Sequence, residues 1–325
     1  MMKNILEPRE VLKTLASGKS VSGAGLAERI GVTRAAVWKH IDALRSRGLP
    51  IDARTGLGYR LPWPTQMLDA AEIEARLDAA DKGLLEVHWE LDSTSSELVR
   101  RQDGLPDLYV VLAEGQQAGR GRRGRMWLSP PGLNIYLSCL KRFEQGFAGL
   151  SGLSLTVGVA VAQALEDVGV TDAGLKWPND ILARGGKLAG ILVELNGEYQ
   201  GPCVAIVGVG VNVRLPPSMR EGIEQPVMDL AGLCDGQPPD RNLVAARLVT
   251  RLRASLRGFE THGFSAFADD FARLDLLRGK SLRLHGAQGT FEGVGAGVDT
   301  QGALLVRTGQ GEIRVDSAEV TVRAQ

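Results

Sequence analysis

Three cysteines are the whole thiol complement of this 325-residue chain. Cys139, Cys203 and Cys234 lie far apart with no metal-ligand spacing, and their odd number supplies no disulfide framework. They read as reduced, mostly buried thiols. Net charge is missing too, since Lys and Arg number 38 and so do Asp and Glu. No apolar run approaches the roughly 18–20 residues that cross a bilayer. The N-terminal MMKNILEPREVLK is charged early and lacks the apolar centre of a signal peptide. A cytoplasmic location is the expectation. The four histidines, His40, His88, His262 and His285, fit no motif, so no Ser-His-Asp set is evident. What remains is ordinary for a folded chain of two or three domains, with 44% apolar and 23% charged residues.

The charge is unevenly spread. Residues 1–62 hold 11 Lys and Arg against 5 Asp and Glu, a net of +6 that the remainder cancels. A basic end on a neutral chain points to a polyanion partner for that end. From Pro8 to Ser17, Val11, Leu12 and Leu15 have helical spacing. Ser22 can cap a second helix with Leu26, Ala27 and Ile30 inside, Gly31 ends it, and Thr33 caps a third. Val37, Ile41 and Leu44 share one face of Thr33–Arg47, and Arg34, Lys39, Arg45 and Arg47 take the opposite one. Helix, glycine turn and basic helix form the helix-turn-helix pattern. Gly56 and Gly58, flanked by Arg54 and Arg60, then make a hairpin wing. Arg34, Trp38, Lys39 and His40 are the candidate DNA contacts. A protein-interaction module is the competing reading, in which an exposed Trp38 serves an interface. Pro62, Trp63 and Pro64 stiffen the exit and mark a linker.

Beyond the linker, strands and helices mix without a βαβ repeat. Strands are expected at Leu84–Leu91, Leu108–Glu114, Asn134–Leu140, Leu188–Leu195 and Val204–Val213. A helix capped by Ser93 or Thr94 should run through Arg101, and another should span Leu153–Val168. Between two strands lies GQQAGRGRRGRMWLSPPG. Gly119–Gly124 matches G-x-G-x-x-G literally, but Arg125, Met126 and Trp127 lead to Ser-Pro-Pro-Gly and a strand, not to the apolar helix a dinucleotide turn opens. No Lys-Ser/Thr follows the glycines, so a P-loop also fails. Arg120, Arg122, Arg123 and Arg125 have no neutralising acid nearby in sequence. Arginine forks grip carboxylate or phosphate, and glycines let the chain close over a ligand. A second nucleic-acid patch would interleave more aromatics than the single Trp127.

Three further clusters join this loop. Lys176-Trp177-Pro178-Asn179-Asp180 follows strand-like AGLK and holds two polar groups on a rigid turn. Lys187 stands at the mouth of a buried strand, where it needs an anion. Gly208 and Gly210 in VGVGVNV leave room on one face for a ligand or another backbone, with Asn212 at the end of the run. Together these read as a carboxylate- and phosphate-binding site suited to adenylation chemistry.

These motifs closely resemble the BirA family, the bacterial biotin–protein ligases that double as biotin operon repressors. The resemblance rests on Asp92–Thr94, Gly115–Arg125, Lys176–Asp180, Lys187–Glu194, Gly208–Asn212 and Asp299–Leu305, with Arg34–Ile41 matching the recognition helix, and it covers essentially the whole chain. It implies that biotin and ATP, with Mg²⁺, give biotinyl-5′-AMP, and that a lysine of biotin carboxyl carrier protein then takes the biotin. Ser93, Thr94, Ser95, Gln116, Arg120, Gly121, Arg122 and Lys187 fall at the family's biotin positions. Arg122, Lys176, Asn179, Asp180 and Asn212 would serve ATP. Arg122 and Lys187 would act in catalysis, and Asp180 would help deprotonate the acceptor lysine. The resemblance also implies operator DNA as a partner and a homodimer once biotinyl-5′-AMP is bound. Two departures stand out. Ser95 occupies a position where relatives often have Asn, and Glu224–Leu230 carries no Trp to pack on the adenine.

The expected fold class is therefore α+β. It comprises a winged helix-turn-helix over residues 1–64, a central α/β ligase domain with a mixed sheet over 65–276, and an SH3-like β-barrel over 277–325. The barrel is suggested by SLRLHG, GTFEGVGAGVD, GALLVRT, GEIRVDS and EVTVR. The competing functions are a lipoate–protein ligase, which shares the core fold but generally lacks the arginine loop and DNA-binding head, and a ligand-sensing regulator without ligase activity.

Overall fold

The computed structural model describes residues 3–197, 199–286, 289–316 and 320–324. The head contains α1 (Lys3–Leu15), α2 (Gly23–Ile30), α3 (Arg34–Ser46) and the hairpin β1 (Asp52–Arg54) and β2 (Gly58–Arg60). The Ser22 side chain accepts from the Gly25 amide at 3.0 Å and that of Thr33 from the Ala36 amide at 3.2 Å, so both predicted caps form. Gly31 ends α2 with φ 74°, where a side chain would strain the backbone. The first helix starts at Lys3, earlier than expected, with Pro8 inside it. Val11, Leu12, Leu15, Leu26, Val37, Ile41 and Leu44 close the head's core.

That core is not the head's alone. Trp89 enters it from the next domain. Arg47 pairs with Glu90 at 2.6 Å, and Arg214 stacks 4.7 Å from the Trp63 ring. The segment after the prolines is hydrogen-bonded along its length. The Arg241 amide donates to Gln66 Oε1 (2.8 Å), Asn242 Nδ2 donates to the Met67 carbonyl (3.1 Å), and the Asp69 amide donates to Asn242 Oδ1 (2.9 Å).

The central domain runs α4 (Ala70–Glu74), β3 (Leu85–Leu91), α5 (Thr94–Arg101), β4 (Val110–Gln116), β5 (Ile135–Phe143), α6 (Leu153–Glu166), β6 (Ala173–Lys176), β7 (Asp180–Ala183), β8 (Gly186–Gly197) and β9 (Cys203–Val211). It closes with α7 (Pro217–Arg220), α8 (Leu230–Leu233), α9 (Arg241–His262) and α10 (Ala268–Leu274). Its sheet is mixed, in the order β3-β4-β5-β9-β8-β7-β6, with β3 and β4 parallel and every other pair antiparallel. α6 and α9 pack together over one face and form the main core. α5 covers only part of the other face, where Leu98 meets Val111, Leu140 and Ile206.

Two sequence expectations need correction. The stretch Phe147–Glu166, at mean hydropathy 1.6, is long and apolar enough by composition to cross a membrane, contrary to the expectation that no run comes close. Its α6 part is almost wholly buried against the sheet, and the uniform apolarity reflects contact on all sides. The second correction is the 22-residue α9, absent from the expected elements although Val244, Leu248, Leu252, Leu256 and Phe259 recur at helical spacing and are buried. Its inner face includes Arg241 and Arg253, 4% and 0% exposed. Arg253 is sunk in a cage of the Leu108, Asp81 and Leu84 carbonyls at 3.0, 2.6 and 2.7 Å.

The C-terminal strands β10 (Ser281–Gly286), β11 (Gly289–Val298), β12 (Leu304–Thr308), β13 (Gly311–Val315) and β14 (Val320–Ala324) fall where the turns predicted. They pair in the order β13-β12-β11-β10-β14, an open antiparallel sheet in which β13 and β14 are the edges among the described residues. The expected closure into a barrel is not seen in that pairing.

Arg241 pairs with Glu114 at 2.9 Å, and both side chains are at most 5% exposed. Arg241→Ala would strand the Glu114 carboxylate in the interior. It should cost about 3–5 kcal/mol, read as a lower urea midpoint at unchanged slope.

Candidate functional site

The uncovered part of the sheet face holds a cleft of about 490 Å³, counted to its open mouth. Its floor is bare because glycines face one another. Gly190 of β8 and Gly210 of β9 are register partners, and Gly208 lies one pleat along. The indole of Trp127 rests on this floor. A Cβ on Gly210 would come within 2.6 Å of the ring, and one on Gly190 within 2.9 Å. The glycine pair signalled a close approach by ligand or backbone; at Gly210 the approaching group is a side chain from the arginine loop.

Hydroxyl and amide groups line one wall. Ser93 caps α5 through the Ser96 amide (3.5 Å). Thr94 Oγ1 and Ser95 Oγ lie 2.7 and 3.0 Å from Ser138 Oγ. Gln116 accepts from the Thr94 amide at 2.9 Å. Ser138, fully buried in the middle of β5, had no sequence pattern to mark it beyond being the lone serine in NIYLSCL.

The loop between β4 and β5 folds across the mouth. It is pinched by two backbone bonds, Gly121 to Arg125 (2.7 Å) and Trp127 to Gly119 (2.9 Å), and turns through Arg123 and Gly124 at φ 57° and 71°. The loop does meet an acid. Arg120 Nη2 donates to both Glu194 oxygens at 2.9 and 2.8 Å, and its Nη1 donates to Ser96. Glu194 lies 74 residues away, so proximity in sequence could not disclose it. Arg122 is half-buried and donates to Asn179 Oδ1 at 3.2 Å. Burial, then the neighbouring Arg123 charge, push its guanidinium below its ordinary pKa, while Asp180 opposes them. A cation so placed gains from an arriving anion.

The KWPND segment is the β6–β7 hairpin, with Lys176 opposite Asp180. Trp177 is buried and donates Nε1 to the Gly302 carbonyl in the β11–β12 connection at 3.0 Å. Asn179 Nδ2 donates to the Ile191 carbonyl at 2.9 Å, which turns its oxygen to Arg122. Asp180 pairs with Lys187 at 2.7 Å, and Lys187 Nζ sits 5.3 Å from the Trp127 ring.

Of the residues singled out from sequence, Ser93, Thr94, Ser95, Gln116, Arg120, Gly121, Arg122, Asn179 and Lys187 line the cleft. Lys176 and Asp180 line a smaller depression that shares Asn179. Asn212 lines neither of these two. It is buried, and its amide donates to the Lys187 carbonyl (3.1 Å) and the Met228 carbonyl (3.2 Å). In the head, Arg34, Trp38 and Lys39 are exposed on α3 and His40 is half-buried. Arg45 is turned inward, donating to the Ile51 carbonyl at 2.8 and 2.6 Å, and Arg47 is held by Glu90. The outward basic face of α3 is therefore narrower than the sequence suggests.

A hydroxyl-lined wall, a glycine floor and two cations at one end suit an elongated molecule with a polar head and an anionic tail. Residues 90–212 match the biotin/lipoate A/B protein ligase family, and residues 9–60 match a helix-turn-helix domain. The chain is 40% identical over 325 residues to the bifunctional ligase/repressor BirA of Salmonella typhimurium, covering 98% of this chain and 100% of that one. It is 30% identical over 322 residues to the Bacillus subtilis protein of the same name, covering 98% of each. Among solved structures, the Aquifex aeolicus biotin protein ligase in complex with biotin and ATP superposes with TM-score 0.64 at 28% identity, covering 75% of this chain and 100% of that one.

The Arg120–Glu194 pair is partly exposed, so its loss should free the loop by up to about 1 kcal/mol. Limited trypsin digestion of Glu194→Ala should cut within Gly119–Arg125 about three- to five-fold faster than in the parent. Equal cutting rates would deny the pair a role in holding the loop.

Proposed function

This chain belongs to the BirA family of bifunctional ligases and repressors, and we propose that its cleft performs both steps of biotin transfer with Arg122 and Lys187 as the charge-bearing pair. The protein activates biotin with ATP to biotinyl-5′-AMP and passes the biotin to a lysine of biotin carboxyl carrier protein. It also represses biotin-synthesis genes when biotin is available. The observation that carries the ligase reading is the convergence of Arg122, Asn179, Lys187 and Asp180 at one end of the hydroxyl-lined cleft.

In the first step a biotin carboxylate oxygen attacks the α-phosphorus of ATP, and pyrophosphate leaves. Two anions must meet, and charge accumulates on the phosphoryl oxygens. Lys187 and Arg122 hold both groups and neutralise that charge from fixed positions, so little reorganisation is needed as the bond forms. Asp180 keeps Lys187 in place until the substrates arrive. Asn212 acts from below, fixing the backbone that carries Lys187. The depression edged by Lys176, Asn179 and Asp180 adjoins this point and serves the nucleotide. The described residues contain no group of three or more His, Cys, Asp or Glu side chains that could cage a metal. That suits Mg²⁺ brought by the ATP phosphates, on which such ions largely rely.

In the second step the carrier's lysine amine attacks the acyl carbon and AMP leaves. Asp180 is the carboxylate suited to take the amine proton. Trp127 and the arginine loop shield the anhydride from water meanwhile. The C-terminal sheet, read as an SH3-like module, abuts the KWPND turn through Trp177 and Gly302 and helps dock nucleotide or carrier. Arg34, Trp38, Lys39 and His40 meet operator DNA, and a homodimer formed with bound adenylate presents two such heads to a two-fold operator.

Incubation with ATP, Mg²⁺, apo carrier domain and labelled biotin should label the carrier, while labelled lipoate should not. Lipoate transfer without biotin transfer would reverse the assignment. Lys187→Ala should lower the adenylation rate about 10²–10³-fold and leave ligand-free DNA binding weak and unchanged. In gel shifts on sequences upstream of biotin-synthesis genes, retardation should require biotin and ATP. Lys39→Ala should weaken it and reduce the salt dependence by about one unit of slope. Unaltered retardation and slope would remove Lys39 from the DNA interface.

A further inference from the structure

We propose that Asp42 reads a cytosine of the operator, accepting a hydrogen bond from the N4 amine of that base in the major groove. This role rests on the repressor reading above. α3 turns its buried residues, Val37, Ile41 and Leu44, toward the core of the head. At about 3.6 residues per turn, Ala35, Lys39, Asp42 and Ser46 stand on the opposite crest, and all four are exposed. Arg34 and Trp38, also exposed, flank that crest on the side of Asp42. Asp42 lies one turn beyond Trp38 and Lys39, so a groove that takes in those two takes in the carboxylate as well.

A carboxylate on this crest is out of place beside a polyanion, and nothing in the head masks it. The basic residues that follow it are engaged elsewhere, Arg45 with the Ile51 carbonyl and Arg47 with Glu90. No hydrogen bond or ion pair joins the Asp42 side chain to any described residue. Set against phosphates, such a group costs affinity. A recognition helix, however, presents its crest to the base edges and its flanks to the backbones. On the groove floor guanine and thymine offer a carboxylate only acceptors, while cytosine N4 and adenine N6 donate. The adenine amine lies between N7 and the O4 of the paired thymine, two acceptors that repel a carboxylate. The cytosine amine has an acceptor on one side only, so cytosine is the base that Asp42 selects. The Trp38 indole, one turn back on the same side, shuts out water that would otherwise bridge a mismatched base.

The test is selection from random DNA duplexes by the full chain with biotin and ATP, followed by competition gel shifts. The wild type should enrich cytosine at one fixed position of each half-site, and changing that base should weaken binding about ten-fold or more. Asp42→Asn should enrich adenine there, since an amide donates to N7 and accepts from N6, with the other positions unchanged. Asp42→Ala should show no preference at that position, and the same base change should then cost less than about three-fold. Biotinylation of the carrier domain should run at the wild-type rate in both variants, which shows that they fold. Identical base preferences in all three proteins overturn the role, and so does a base other than cytosine at the position that responds. If the variants instead bind every duplex more tightly by one common factor, Asp42 only repels phosphate and the role falls. Failure of the wild type to enrich any sequence would sink the repressor reading, and this role with it.

Discussion

Two cations held close together at the end of a partly buried cleft are the constraint to which the surrounding structure answers. Arg122 is desolvated, and Arg123 adds a like charge beside it. The chain's own groups meet both cations. Asn179 turns its carbonyl oxygen to Arg122, and Asp180 pairs with Lys187. These partners come from one hairpin, β6–β7, and that hairpin is fixed from behind by Trp177 on the β11–β12 connection and by Ser154 on the Pro178 carbonyl. The site is therefore strong in electrostatics and supported by parts of the chain more than 100 residues apart.

The opposite end of the cleft follows a different rule. There the sheet gives up a side chain at Gly208, and a row of small hydroxyls takes up the space.

The head is bound to the catalytic domain more tightly than a proline linker requires. Trp89 fills the head's core, Arg47 pairs with Glu90, and the segment after Pro64 is tied to the start of α9. The strands carrying Glu90 and Gly115 continue directly into the cleft wall at Ser93 and Gln116. The end of α3 and the cleft wall thus meet at one junction, where Arg47 faces protein instead of solvent.

The sequence by itself determined what depends on neighbours along the chain. Ser22 and Thr33 cap helices three residues on, Gly31 takes a left-handed turn, alternation and glycine turns mark the strands, and the arginine loop, KWPND and Lys187 announce anion chemistry. Only the tertiary structure decided what depends on residues distant in sequence. Glu194 reaches Arg120 across 74 residues, Ser138 meets Thr94 across 44, and Trp127 lies on glycines of two other strands. α9 divides between the two: Val244, Leu248, Leu252 and Leu256 recur every four residues, whereas the carbonyls that hold its buried Arg253 lie 145 to 172 residues away. Periodicity records which face of an element is buried, whereas charge pairing and side-chain hydrogen bonding between distant elements exist only once the faces have met.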